Sequence, residues 1–148
     1  MSAVSLSAIR SRFATVVDSL AGFSESRNPW GGSSLRQPHS VAQLRFSVGI
    51  ASSDATGESR QAYSVGVPTT TVVVVQFNYR LRPKDQITDY DEGLNQAEIV
   101  MRALTVRASP LYDDLQIRFS SLSPRISSSG EYLEVSLTFT VLHELTLQ

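Results

Sequence analysis

The chain is 148 residues long, a length typical of one domain with a substantial core, and we predict a single domain over residues 1–148. Its 41% hydrophobic and 18% charged residues argue against a disordered chain, and its formal net charge of -1 argues against a strongly basic nucleic-acid-binding protein. Cysteine is absent and histidine occurs only twice, which excludes disulfides, a cysteine nucleophile and thiolate or histidine-rich metal sites.

An amphipathic helix is predicted near the start of the chain. Its apolar residues recur every three or four positions, so they form one stripe along a helix. Ser2 or Ser5 is placed to cap the beginning of this helix, and Gly22 is placed to end it. The apolar stripe consists of Leu6, Ile9, Phe13, Val16, Val17 and Leu20.

A long loop is predicted next, over residues 23–40. Its prolines, its Gly31-Gly32 pair and its many serines disfavour regular structure. Trp30 is the one large apolar side chain in its middle. Two interpretations of Trp30 are open: an anchor that holds the loop against the core, which we favour, and a contact with a partner protein.

Four strands are predicted. Residues 41–52 alternate between apolar and polar, and residues 69–82 are rich in β-branched side chains and end before Pro83. Residues 114–122 and the alternating C-terminal stretch 131–148 form the second pair, an antiparallel hairpin. We place the serine-rich turn of this hairpin at residues 124–131. In the last strand, Phe139 and His143 are among the residues predicted to face inward.

A second helix is predicted between the two pairs of strands, after an acidic segment. Asp89, followed three residues later by Glu92, resembles a capping box, and the helix is expected to end near Leu104 or Arg107. The order α-β-β-α-β-β predicts an α+β fold, an antiparallel or mixed sheet of about four strands with two helices packed on one face. The apolar stripe predicted for this helix is Tyr90, Leu94, Ala97, Met101 and Leu104.

Motifs for chemistry are missing from the sequence. It contains no glycine-rich phosphate loop, no nucleophile elbow and no zinc-protease motif. His143 on an apolar strand face is typical of a buried histidine rather than a catalytic one. An acidic cluster precedes and begins the second helix, and it consists of Asp85, Asp89, Asp91 and Glu92. We interpret it as acids stabilised by the positive end of the helix dipole rather than as a Ca²⁺ or Mg²⁺ site, because its spacing does not match an EF-hand. We therefore expect a protein that is not an enzyme, with no catalytic residue, metal or cofactor.

Charge is unevenly distributed along the chain. Residues 1–84 carry a net charge of +5 and residues 85–148 a net charge of -6. Such a chain is suited to pairing with a copy of itself; the alternative, which we favour on charge alone, is that the halves offset each other within one monomer.

Arginine outnumbers lysine twelve to one. Arg80 and Arg82 are predicted on the outward face of one strand, where they are candidates to contact the acids of a neighbouring copy. A compositional bias towards arginine is an equal alternative. The candidate interface residues, for contact between copies or with a partner, are Trp30, Arg80, Arg82, Asp85, Asp89, Asp91 and Glu92.

Two segments carry a resemblance to a known family. They are VVVVQFNYRLRPKDQITDYDEGLNQAEIVMRAL and YLEVSLTFTVLHEL, and they follow the N-terminal amphipathic helix. A long strand, an acidic turn, a helix and a final amphipathic strand in this order resemble the tail terminator (tail completion) proteins of long-tailed bacteriophages. The likeness is architectural and covers most of the chain, and related neck proteins of the head–tail junction share much of the pattern.

The resemblance implies a structural virion protein of the phage neck, assembled in the host cytoplasm. Six copies would form a ring that caps the head-proximal end of the tail tube, ends tube polymerisation and provides the docking surface for the head–tail connector or stopper protein. The implied partners are further copies, the tail tube protein, the connector or stopper, and DNA that passes through the pore without sequence-specific binding. No association with a membrane is implied. The alternatives are another head–tail junction adaptor, such as a head-completion protein, and, less favoured, a small-ligand-binding α+β domain.

Overall fold

The computed structural model describes residues 4–26, 43–55, 67–105 and 115–145. Two helices and five strands lie within these ranges. In chain order they are α1 (Leu6–Asp18), β1 (Ser24–Glu25), β2 (Arg45–Ala55), β3 (Val67–Arg80), α2 (Gln86–Thr105), β4 (Gln116–Ile126) and β5 (Tyr132–Leu145).

The five strands form one sheet in the order β1-β2-β3-β5-β4. All neighbours are antiparallel except β1 and β2, which are parallel, so the sheet is mixed as predicted. The central pair, β3 and β5, is matched along its whole length, from Val67 opposite Leu145 to Arg80 opposite Tyr132. The fifth strand, β1, lies within the predicted loop. It was not predicted because two residues are too few to show a strand period in the sequence.

Both helices pack on the same face of this sheet. Phe13 of α1 contacts Phe139 of β5 edge to face, with ring centroids 5.7 Å apart. Gly93 of α2 lies against Leu133 of β5. Leu133 and Phe139 are six residues apart on one strand, so their side chains point to the same side. The α+β fold with two helices on one face is therefore confirmed.

Helix α1 follows its predicted pattern closely. Ser5 is its N-cap, and the Ser5 hydroxyl accepts a hydrogen bond from the main-chain N–H of Ala8 at 3.2 Å. Ile9, Phe13 and Val17 of the predicted stripe are fully buried. The helix ends at Asp18, earlier than Gly22. Gly22 instead has a φ of 85° in the turn before β1, a left-handed conformation that glycine adopts without strain.

Strand boundaries differ from the prediction at β2 and β4. β2 begins at Arg45 rather than residue 41, because Leu44 has a φ of 59° and a left-handed residue cannot continue a strand. Strand β4 extends to Ile126, into the first three residues of the segment predicted as a turn, and the remaining residues 127–131 form the turn. Pro124 is tolerated there because β4 lies at the edge of the sheet, where its missing N–H leaves no neighbouring strand unpaired.

Helix α2 begins at Gln86, three residues before the predicted cap. Ala97 and Leu104 are buried as predicted, whereas Tyr90 and Met101 are only partly buried. The buried stripe is therefore rotated slightly from the predicted one. It consists of Asp89, Gly93, Ala97, Val100 and Leu104.

Candidate assembly site

A bidentate ion pair joins the end of β3 to the first turn of α2. The Arg82 guanidinium donates from Nε to Oδ2 of Asp89 at 3.0 Å and from Nη2 to Oδ1 at 3.0 Å. The main-chain N–H of Arg82 donates to the same Oδ2 at 2.8 Å. The Asp89 side chain is 7% exposed, while the Arg82 side chain is 62% exposed. Asp89 is therefore the buried anchor, and Arg82 reaches it from the surface.

This pair keeps both groups charged. The hydrogen bonds from the Arg82 side chain and main chain lower the pKa of Asp89, against the opposing effect of burial. The same hydrogen bond, with the negative charges of Asp89 and Asp85, raises the pKa of Arg82. Two candidate interface residues are thus bound to each other within one chain.

Arg82 also lies outside the strand on which it was predicted. Strand β3 ends at Arg80, and Arg82 belongs to the connection before α2. The prediction that Arg80 and Arg82 share one strand face is therefore wrong. The physical reason is that the chain leaves the sheet at Leu81, which is buried, and turns towards the helix layer.

The four predicted acids occupy different environments. Asp85 directly precedes α2, its carbonyl accepts the N–H of Asp89 at 2.9 Å, and its carboxylate lies 3.7 Å from Arg82 Nη2. Asp89 is therefore not a helix cap, as it was predicted to be. Asp91 and Glu92 are exposed on the outer surface of α2, where Glu92 accepts a hydrogen bond from Gln96 at 3.4 Å.

Tyr79 lies at the same end of the sheet and responds to these charges. Burial raises its pKa, and the negative charges of Glu92 and Asp89 raise it further, while Arg82 and a hydrogen bond with Gln43 act in the opposite direction. Gln43 also accepts the main-chain N–H of Arg80 at 2.7 Å. Tyr79 therefore stays protonated, and Gln43 connects the residues before β2 to the end of β3.

The remaining candidates are Arg80 and Trp30. Arg80 is exposed at the end of β3, on the sheet face away from the helices, as the strand period predicted. Trp30 lies outside the described residues. The structure therefore brings together Arg82, Asp85 and Asp89 and leaves Arg80, Asp91 and Glu92 on separate exposed surfaces.

A buried polar chain crosses three strands at the other end of the sheet, and it was not predicted. The Ser53 and Thr71 hydroxyl oxygens lie 2.8 Å apart, and the Thr71 hydroxyl lies 2.6 Å from Nε2 of His143. His143 Nδ1 lies 3.3 Å from the carbonyl oxygen of Glu144. The inward positions of Thr71 and His143 are visible in the strand periods, but the pairing of their strands is not.

His143 is buried, which lowers its pKa, against the opposing effect of hydrogen bonds with the backbone of Glu144 and Val4. It is therefore a buried core residue, as predicted. Among the described residues, no group of three or more His, Cys, Asp or Glu side chains is placed to hold a metal ion. No helix in the described ranges is both long and apolar enough to span a membrane.

No protein-family model matches the sequence, and no curated protein matches it either. The fold is similar to that of a chain in a solved structure described as "Virion of native gene transfer agent (GTA) particle". The TM-score is 0.51 at 16% sequence identity, and the match covers 89% of this chain and 84% of that chain. At this identity the likeness shows a shared fold, which extends over most of both chains.

Proposed function

We propose that this protein is a structural subunit of a phage-like virion. The observation that carries the proposal is the fold shared with a chain of a gene transfer agent particle, over 89% of this chain and 84% of the other. A match over most of both chains is a likeness between whole subunits rather than between fragments. Because a fold alone does not imply a function, the independent resemblance of the sequence to phage tail terminator proteins supports the same class of particle.

Within that particle we place the protein at the neck, as a ring of copies on the head-proximal end of the tail tube. The ring would end tube polymerisation, dock the head–tail connector or stopper and leave a pore for DNA. Two features support this role: a sheet face with no described helix over it, and acids gathered on the outer surface of α2. Both are suited to contacts between copies.

The proposed role is not enzymatic. Support comes from His143, whose Nε2 is bonded to Thr71 and whose Nδ1 faces the carbonyl oxygen of Glu144 in the core. A histidine with both ring nitrogens engaged inside the protein is poorly placed to exchange protons with a substrate.

Tube polymerisation in vitro tests the proposal. The tail tube protein of the same genome is polymerised with and without this protein, and the tubes are viewed by negative-stain electron microscopy. We expect shorter tubes with extra density at one end, because a bound ring blocks further addition there. Unchanged tubes, with the protein absent from purified particles by mass spectrometry, would overturn the proposal. Unchanged tubes with the protein present in particles would instead favour a head-completion adaptor.

A further inference from the structure

The sheet face away from the helices has an uncharged centre. Along β3 and β5 the side chains on this face alternate with the core residues, and in the middle of the two strands they are valine, threonine, serine and glutamine. Gln76 donates to the Ser136 hydroxyl across the two strands at 3.2 Å. No helix in the described ranges packs on this face, so its middle offers neutral, half-buried surface. Its central residues are Val72, Val74, Gln76, Ser136, Thr138 and Thr140.

Three arginines lie at one end of this face. Arg80 ends β3, Arg125 lies opposite Glu134 on the edge strand β4, and Arg45 begins β2. All three are exposed, and none has a carboxylate within ion-pair distance in the described part of the chain. Arg10, Arg82 and Arg102, by contrast, are each paired with an acid. We call Arg45, Arg80 and Arg125 the arginine end; from β2 to β4 it spans three strand spacings, about 14 Å.

The outer surface of α2 has the opposite character. Asp91 and Glu98 are seven residues apart, about 10 Å along the helix, on the side facing away from the core. Glu92 is exposed beside them, and Ile87, one turn before Asp91, is 80% exposed. Arg102 offsets Glu98 in part, at 3.4 Å. We call Ile87, Asp91, Glu92 and Glu98 the acidic helix face.

We propose that the arginine end of one copy binds the acidic helix face of the next copy, an inference that rests on the ring proposed above. The two surfaces have opposite charge and similar length, and opposite charges fix the orientation of a contact. Ile87 supplies the apolar group that the neutral centre of the sheet face can cover. The two surfaces lie on opposite layers of the subunit, so the contact is head to tail. A row of copies then has a free arginine end on one terminal copy and a free acidic helix face on the other. A ring closes when these two surfaces meet.

A second copy fits the arginine end better than a nucleic acid does. Glu134 lies directly opposite Arg125, so the arginine end is not the continuous positive surface that a phosphate backbone needs. The overall charge of -1 also disfavours nucleic-acid binding. The chain itself carries the complementary acidic surface.

Charge reversal on each surface, followed by mixing, tests this contact. The first variant is R45E/R80E/R125E and the second is D91K/E92K. Arg82 is left unchanged because its reversal would break the ion pair with Asp89. R118E is the matched control, since Arg118 is an exposed arginine on the same sheet face, further along β4 from Arg125. Circular dichroism first establishes that all variants are folded, and light scattering across protein concentrations then measures self-association.

We expect the wild type and R118E to self-associate and each charge-reversed variant to associate at least about tenfold more weakly, a change of about 1.4 kcal/mol. An equimolar mixture of the two variants should regain association, because the reversed arginine end of one variant is negative and the reversed acidic helix face of the other is positive. Added salt should weaken the wild-type contact.

Three results would overturn the proposal: charge-reversed variants that associate like the wild type, a mixture of folded variants that fails to associate, and a wild type that stays monomeric at every concentration. Loss of binding to a short DNA duplex in R45E/R80E/R125E, with self-association unchanged, would assign the arginines to nucleic acid instead. These outcomes are separate from the tube assay. If the wild type caps tubes but does not use this contact, the proposed neck function remains supported. If the wild type self-associates but neither caps tubes nor occurs in particles, the proposed neck function is wrong.

Discussion

Arg82 holds Asp89 through three hydrogen bonds, two from its guanidinium at 3.0 Å and one from its own main-chain N–H at 2.8 Å. One carboxylate thereby satisfies a side chain and the backbone of the connection between β3 and α2. The pair holds the first turn of α2 against the end of β3, and it therefore helps to fix the position of the exposed acids of α2.

We predict that Asp89→Asn lowers the melting temperature at pH 7. The amide has only one acceptor oxygen, and its NH₂ group would face the donors of Arg82. Asp91→Asn is the matched control, because Asp91 is exposed on the same helix, and it should leave the melting temperature nearly unchanged. Equal melting temperatures for Asp89→Asn and the wild type would show that the ion pair does not support the fold.

The same pair predicts a dependence on acid. Because the pKa of Asp89 is lowered in the folded state, its stabilisation is complete above the ordinary aspartate pKa of about 3.9 and is lost as the pH falls through the lowered value. The stability difference between the wild type and Asp89→Asn should therefore shrink below pH 4. Urea unfolding at a series of pH values measures it, and a constant difference would contradict the lowered pKa.

His143 predicts a second dependence on pH, in a different range. Burial lowers its pKa, so below about pH 6.5 the unfolded chain binds a proton that the folded chain does not. Stability should fall as the pH decreases from that point to the lowered pKa. In His143→Gln this part of the dependence should disappear, while His39, present in both proteins, cancels in the comparison. Urea unfolding between pH 7.5 and pH 5.5 checks it, and identical profiles would argue against a neutral buried histidine.

Gly93→Ala should destabilise the protein although alanine favours helices. A Cβ at this position would lie 2.7 Å from Cδ2 of Leu133, which is fully buried, and 3.3 Å from Cβ of Tyr79. We expect overpacking to cost about 1–3 kcal/mol. The gain in helix propensity offsets about 1 kcal/mol of that cost. Asn95→Ala, at an exposed position of the same helix, isolates the propensity and should be neutral or stabilising in thermal unfolding. A stabilised Gly93→Ala would mean that α2 and β5 can move apart freely.

Phe139→Ala should destabilise the protein by about 3–5 kcal/mol. Phe139 is fully buried and contacts the rings of Phe13 and Phe119 edge to face, each with centroids 5.7 Å apart. Thr138→Ala changes the adjacent residue on the open sheet face and is the matched control. Chemical denaturation measures both, and a loss no larger than that of the control would contradict the packing of α1 on β5.

Local pattern predicted both helices and every described strand except β1, together with the buried sides of α1 and β5. The period of two in β5 predicted that Phe139 faces inward, and the helical spacing in α1 predicted the burial of Ile9, Phe13 and Val17. These predictions succeed because side-chain direction within one element depends only on its own backbone geometry. The start of α2 was misplaced, since Asp89 followed by Glu92 matches a capping box that the helix does not use.

The sequence by itself therefore determined an α+β chain with two amphipathic helices, alternating strands and two halves of opposite net charge. Only the tertiary structure decided that β3 lies beside β5, that His143 meets Thr71, and that Arg82 is bound to Asp89. Each of these relationships depends on the register or approach of two separate elements. A period within one segment carries no information about that register, which is set when the segments pack over a common core.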